Sequence, residues 1–183
     1  MIDLLTLHKQ FLAPHLFSGA HVCDFTMGNG HDTLWLCNEV GKDGKVWAFD
    51  IQKQAIESTS EFLAKNLPYK NYELIHDSHA NAKNYVEGKI NAGVFNLGYL
   101  PGGDKSITTL RTSTLPAVRE AIEMLAPDGI ILVAVYPGHE EGNLEGIELD
   151  SMLREYSRFQ VCVSRFQIIN SPTSPFFFMI ENK

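Results

Sequence analysis

Val22-Cys23-Asp24-Phe25-Thr26-Met27-Gly28-Asn29-Gly30-His31-Asp32-Thr33 reads as a buried strand that runs into a small-residue turn and opens a helix. The glycines on either side of Asn29 accept positive φ and let a ligand approach bare backbone. The helix beginning near His31 presents unbonded N–H groups and the positive end of its dipole to whatever binds at the turn. Asp24 places a carboxylate at the strand's end, just before that turn. The combination suits a nucleotide-like ligand with a charged amino-acid part and a ribose. A tight βα turn whose glycines serve geometry alone has the same pattern, so the neighbouring segments decide.

Upstream, Leu4, Leu5, Leu7, His8, Phe11 and Leu12 recur at helical spacing, and Pro14 follows where a helix should stop. His8 reads as a surface or capping histidine. Downstream, a strand at His21–Phe25 and a helix at His31–Val40 closed by Gly41 are followed by a strand at Lys45–Asp50. A helix over Lys53–Lys65 stops at Asn66, and a short strand, Tyr72–Ile75, runs into His76-Asp77-Ser78-His79. A brief helix near Asn81–Val86 leads to the strand Ala92–Asn96 and then to the glycine-rich loop Leu97–Lys105. Thr114 is expected to cap the next helix, with Pro116 in its first turn and Pro127-Asp128-Gly129 as the turn beyond it. The strand Ile130–Val135 is continuously apolar, as in a sheet covered on both faces, and a helix over Leu144–Tyr156 follows. Phe159–Phe166 and Phe176–Ile180 then form two strands with no helix between them, which should pair antiparallel. The whole predicts an α/β fold: a doubly wound, mostly parallel seven-stranded sheet with a C-terminal antiparallel hairpin and its site at the carboxyl ends of the strands.

The 183 residues suit a single domain, and 44% hydrophobic with 20% charged residues is the composition of an ordinary globular chain. No apolar run nears the roughly 18 residues of a membrane span, and Met1-Ile2-Asp3-Leu4 lacks a basic secretory leader. Cys23, Cys37 and Cys162 are widely spaced and odd in number, so they read as reduced core residues of a cytosolic protein, with no metal site. A net charge of −7 argues against a protein that coats nucleic acid by bulk electrostatics, though not against one with a small local footprint. Apolar residues near the two ends of the chain permit a homodimer.

At the strand ends, Asp50 lies about 20 residues past the glycine turn, the spacing at which an acid reaches ribose hydroxyls. Asp77 or Ser78 is placed to accept from an adenine amino group, or else to cap the next helix; Ile51 or His79 is placed to cover the adenine face. Two cofactors fit such a crevice, a nicotinamide dinucleotide and S-adenosylmethionine. The dinucleotide fingerprint needs a third glycine where Thr33 stands, and Asp24 would repel a pyrophosphate but attract a sulfonium. Methyl transfer is therefore the preferred reading, to a small molecule or to a nucleic acid.

The string Asp24-x-Thr26-x-Gly28-Asn29-Gly30-x-Asp32-Thr33, with Asn96-Leu97-Gly98-Tyr99-Leu100-Pro101-Gly102-Gly103-Asp104-Lys105 and Tyr136-Pro137-Gly138-His139, resembles the "putative rRNA methylase" family. Its characterised members are tRNA 5-aminomethyl-(2-thio)uridine methyltransferases of the class I, Rossmann-like fold. Phe25 departs from the small residue expected there, a difference that should alter packing rather than cofactor chemistry. The resemblance implies S-adenosylmethionine held by Met27, Asn29, Asp50, Gln52, Ser78 and His79, beside the Asp24, Gly28 and Gly30 of the turn. It implies methylation of an amine on the wobble uridine in the anticodon loop of tRNA. In that reading Asn96 orients the amine, Tyr99 stacks on the uracil or closes the pocket, and His139 or Asp104 accepts the proton. Lys105, Arg111 and Arg119 are then candidates for phosphate contacts. Methylation of a metabolite or of rRNA, and a non-catalytic cofactor-binding role, remain the alternatives.

Overall fold

A computed structural model describes residues 4–183. The leader reading of residues 1–4 rests on positions that fall mainly outside these, and the side chains of Leu4 and Leu5 are likewise not described. Seven strands form one sheet in the order β3-β2-β1-β4-β5-β7-β6. They are β1 (His21–Asp24), β2 (Lys45–Asp50), β3 (Tyr72–His76), β4 (Ile90–Asn96), β5 (Leu125–Val135), β6 (Val161–Phe166) and β7 (Phe176–Asn182). The first five are parallel, and β7 pairs antiparallel with both β5 and β6. The expected hairpin is present, with β7 inserted on its inner side.

Alternation along each strand sorts side chains between two cores. Val22, Val46, Val94 and Leu132 face α1 (Leu4–Leu12) and α2 (His31–Val40), which supply Leu12, Leu36, Cys37 and Val40. Cys23, Trp47, Phe95 and Val133 face the other way. There they meet α4 (Arg111–Met124) and α5 (Glu140–Leu153) through Ala117, Val118, Ala121 and Leu149. The helix α3 (Lys53–Asn66) buries Ala55, Thr59 and Leu63. Cys23 and Cys37 are buried, and Cys162 is partly covered. Phe25 stacks on Phe95 at 4.2 Å between centroids and lies 6.0 Å from Phe49. Gly93 on β4 makes room for it: a Cβ there would stand 2.9 Å from the Phe25 ring. The departure at Phe25 is thus absorbed in packing.

Several boundaries differ from the sequence reading. Thr114 lies inside α4, which starts at Arg111 after Leu110 with no side-chain cap, so Pro116 also falls within the helix. Thr114 instead donates its hydroxyl to the buried Glu145. Pro127-Asp128-Gly129 is a bulge inside β5: Ile90 pairs with Leu125, but Ala92 pairs with Ile130. Asp128 there takes φ 57°, and His15 donates to its carbonyl at 2.8 Å. The brief helix is a 3-10 segment, His79–Asn84, capped by Ser78, whose hydroxyl accepts from the Ala80 amide at 3.2 Å. The last helix starts at Glu140, four residues earlier than expected. Phe159 lies outside β6 and is exposed. Among the described residues no helix is long and apolar enough to cross a membrane.

Candidate active site

Strand order reverses between β1 and β4, where the crossovers on either side diverge and leave a crevice at the carboxyl edge. A cavity of about 1120 Å³ opens there, lined by the tips of β1, β2 and β4, the loop after β4, α1 and the β6–β7 connection. It is large against the roughly 300–1,000 Å³ of an ordinary small-molecule pocket.

One half is built on the glycine turn. Gly30 adopts φ 81° at the start of α2, and a Cβ there would stand 2.8 Å from Thr59 of α3, so this glycine packs helix against turn and does not line the cavity. Asp24 also lies behind the wall, 1% exposed, and accepts from the Thr26 amide at 3.2 Å and the Thr33 hydroxyl at 2.7 Å. Burial, with Asp32 and Asp50 adding repulsion, raises its carboxyl to about 7 against the bonds from Thr33 and Thr26. Met27, Gly28, Asn29, Asp50 and Gln52 do line the cavity. Asp50 accepts from the Gly28 amide at 3.1 Å and from the Gln52 amide at 2.8 Å, which orients its carboxylate across the turn. Burial raises its carboxyl, and these two amides and His76 oppose the rise.

Asn29 donates to the carbonyl of Pro101 at 3.1 Å, tying the loop after β4 down over the turn. Ser78 and His79 close this half from the end of β3. The expected adenine acceptor Asp77 lines the cavity but is already engaged by the Tyr85 hydroxyl and the Asn81 and Ser78 nitrogens. Those bonds, Tyr85 first, hold its carboxyl low. His79 donates from Nδ1 to the carbonyl of Phe25 at 3.1 Å, leaving Nε2 as an acceptor that is buried and without a partner. Burial pushes its imidazole below the usual range, so the ring is neutral.

The other half centres on Asn96. Its amide N–H donates to the Thr26 hydroxyl at 2.7 Å, locking the end of β4 to the glycine turn. Its side-chain Nδ2 donates to Asp32 at 2.5 Å, and Lys9 of α1 pairs with the other Asp32 oxygen at 2.7 Å. Asp32 can only accept, so Nδ2 must face it; Oδ1 is the free end of the amide, buried and without a partner. The Thr108 hydroxyl and His139 Nε2 are buried and unpartnered in the same cavity. Tyr99 stands half exposed at the mouth with its ring 6.3 Å from that of His139.

His139 caps α5: Nδ1 accepts from the Gly142 amide at 3.1 Å. A neutral ring held that way carries its proton on Nε2 and offers a donor to the cavity. Asp104 does not line the cavity; it is exposed and caps the Ser106 amide at 2.8 Å. Arg111 is engaged by Glu141 at 3.3 Å and Glu148 at 3.1 Å, and Arg119 lies outside the cavity. Lys105 sits 5.5 Å from the centroid of Tyr99. His8 is buried in the cavity wall, which corrects its reading as a surface group. Thr26, Asp32 and Lys9 were missed as site residues; Thr26 and Asp32 stood within the quoted turn, while nothing in the sequence links Lys9 to it.

A crystal structure described as a "putative rRNA-methylase", from Clostridium thermocellum, matches with TM-score 0.97 at 34% identity, covering 100% of this chain and 99% of that one. A "putative methyltransferase" from Streptococcus mutans, in complex with SAH, matches with TM-score 0.90 at 35% identity over 100% and 99% of the two chains. The "tRNA (mnm(5)s(2)U34)-methyltransferase, chloroplastic" of Arabidopsis thaliana is 40% identical over 179 residues, 90% of this chain and 65% of that protein. The chain therefore spans slightly less than two thirds of that relative's length. The family described as "Putative rRNA methylase" matches from residue 46 to residue 181, taking in the Asp50 tip, the Asn96 loop and the His139 cap, and the chain belongs to it.

Proposed function

We propose that this protein is an S-adenosylmethionine-dependent methyltransferase whose acceptor is the amine of a 5-aminomethyl-(2-thio)uridine at the wobble position of tRNA. The observation that carries the reading is Asn96 Oδ1, an acceptor held by Asp32 with no protein donor opposite it. A primary amine supplies the missing donor. Support also comes from the Arabidopsis thaliana relative and from the SAH complex of the Streptococcus mutans protein.

The residues fit the cofactor. Asp50 retains lone pairs for a ribose diol, His79 Nε2 is an unmet acceptor for an adenine amine, and Met27 and Ile51 give apolar walls. When bound, S-adenosylmethionine supplies an electrophilic methyl group. Asn96 then serves by orientation, holding the amine N–H so that the nitrogen lone pair is directed away from Oδ1. Tyr99 covers the base from the mouth. His139, with its proton on Nε2, acts as a donor to a carbonyl or thiocarbonyl of the base and leaves the proton of the reacting amine to solvent. A wobble base is already in an exposed loop, so its extrusion costs less than flipping from a duplex.

The test is mass spectrometry of wobble nucleosides after incubating aminomethyl-containing tRNA with protein and cofactor. A gain of one methyl on that nucleoside is expected. Cofactor turnover with a metabolite extract but none with tRNA would instead favour a small-molecule acceptor, the reading to which the charge of −7 lends weight.

A further inference from the structure

Asp32 is a carboxylate on the wall of a cavity meant for an amine, and this is a hazard as well as an asset. A carboxylate near an amine favours the ammonium form, and an ammonium has no lone pair with which to attack. Asp32 is nevertheless needed, because only its acceptor oxygen fixes which end of the Asn96 amide is presented. Lys9 resolves the conflict. Its Nζ reaches Asp32 at 2.7 Å from a different element, α1, and lies 4.9 Å from the centroid of Trp35, so it is positioned from two sides. The pair is only partly exposed, 35% for Lys9 and 19% for Asp32, so solvent screens it incompletely.

We infer that Lys9 and Asp32 are positioning residues for the methyl acceptor: Asp32 orients the Asn96 amide, and Lys9 cancels the Asp32 charge so that the bound amine stays neutral. This rests on the function proposed above. Asp24 from β1, behind the turn, is near enough to Asp32 for their charges to repel; His8 on α1, His31 on α2, Asp50, Asp77, His79, Tyr99, Tyr136 and His139 line the same cavity as the pair. Asp24 is buried behind the turn with its carboxyl raised to about 7, and His139 is held as a cap, so Lys9 is the cation in direct contact with Asp32. No covalent step involves either residue; the proton that the amine gives up leaves to water.

The inference makes a prediction of sign that a purely structural salt bridge does not. The pH profile of kcat reports groups titrating in the enzyme–substrate complex. In Lys9→Met the Asp32 charge is uncompensated, and the acid limb of kcat should move up by about 1 pH unit, about a tenfold loss below the limb. In Asp32→Asn the limb should move down by a similar amount, with a lower plateau because an amide at 32 can donate as well as accept and no longer fixes which end of the Asn96 amide is presented. The double variant should return the limb close to its original position, and Lys9→Arg should leave it there. The assay is methyl transfer to tRNA bearing a 5-aminomethyl wobble uridine, with circular dichroism to confirm folding; Lys9→Gln replaces Lys9→Met if the latter fails to fold. Superimposed limbs, or limbs displaced in the same direction by both single changes, overturn the inference. Absence of transfer by the unaltered protein would instead overturn the proposed function, and the inference with it.

Discussion

Asp24 binds the amide of Thr26 with one oxygen and the hydroxyl of Thr33 with the other, so the carboxyl expected to meet a sulfonium spends both oxygens on the turn's own geometry. Its carboxyl titrates near 7 in the folded chain because it is buried beside Asp32 and Asp50. Unfolding returns it to about 3.9, so between these values the folded state binds the extra proton and stability falls as pH rises. Asp24→Asn keeps an acceptor for the Thr26 amide, and the Thr33 hydroxyl can turn to accept from the new NH2, while the titration is removed. Denaturant unfolding from pH 4 to pH 8 should show the unaltered protein losing up to about 4 kcal/mol relative to Asp24→Asn across that range. Parallel curves for the two proteins would remove this account of Asp24.

The elements meet the site through buried polar ties. Glu145 of α5 is 1% exposed and accepts the hydroxyls of Thr114 on α4 and Thr109 in the loop after β4. Thr109 in turn accepts the Gly98 amide at 2.9 Å, so one carboxylate fastens two helices to the loop that carries Tyr99. Glu145→Ala leaves both hydroxyls without their acceptor and should cost about 2–3 kcal/mol, measured by chemical denaturation. Glu145→Gln should cost less, and a loss in the alanine variant within experimental error would show the tie to be idle. At this scale the sequence was informative where one local pattern determines the outcome. Continuous apolar runs such as Ile130–Val135 announced strands, and Gly41 announced the end of a helix. It was silent where a partner far along the chain decides. Thr114 has the chemistry of a cap, but Glu145 claims its hydroxyl; His139 has the chemistry of a base, but the Gly142 amide claims its Nδ1. Lys9 and Asp32 are brought together only when α1 folds back across β5 and β7.

Over the whole molecule, the charge of −7 limits how a polyanion can be held. Arg111 is paired within the chain, and Lys105 by the mouth offers a local cation, so few phosphates can be engaged. Under the proposed function, binding of tRNA should therefore weaken with salt along a shallow line, roughly −0.7 in log K against log salt for each single-stranded phosphate contacted. A filter-binding titration with a slope steeper than about −4 would imply a wide basic footprint that this charge distribution does not provide.

The sheet order carries a consequence in time. β7 lies between β5 and β6, so β6 has nothing to hydrogen-bond to until β7 has been made. Thr173 and Pro175, just before β7, also complete the rim that Thr6 and Lys9 begin at the opposite end of the chain. On the ribosome the parallel strands must wait with one flank bare, and no shorter nascent chain encloses the chamber. Premature termination before β7 therefore yields no half-closed chamber, only an unfinished sheet whose exposed flank is an invitation to aggregation and to proteolysis.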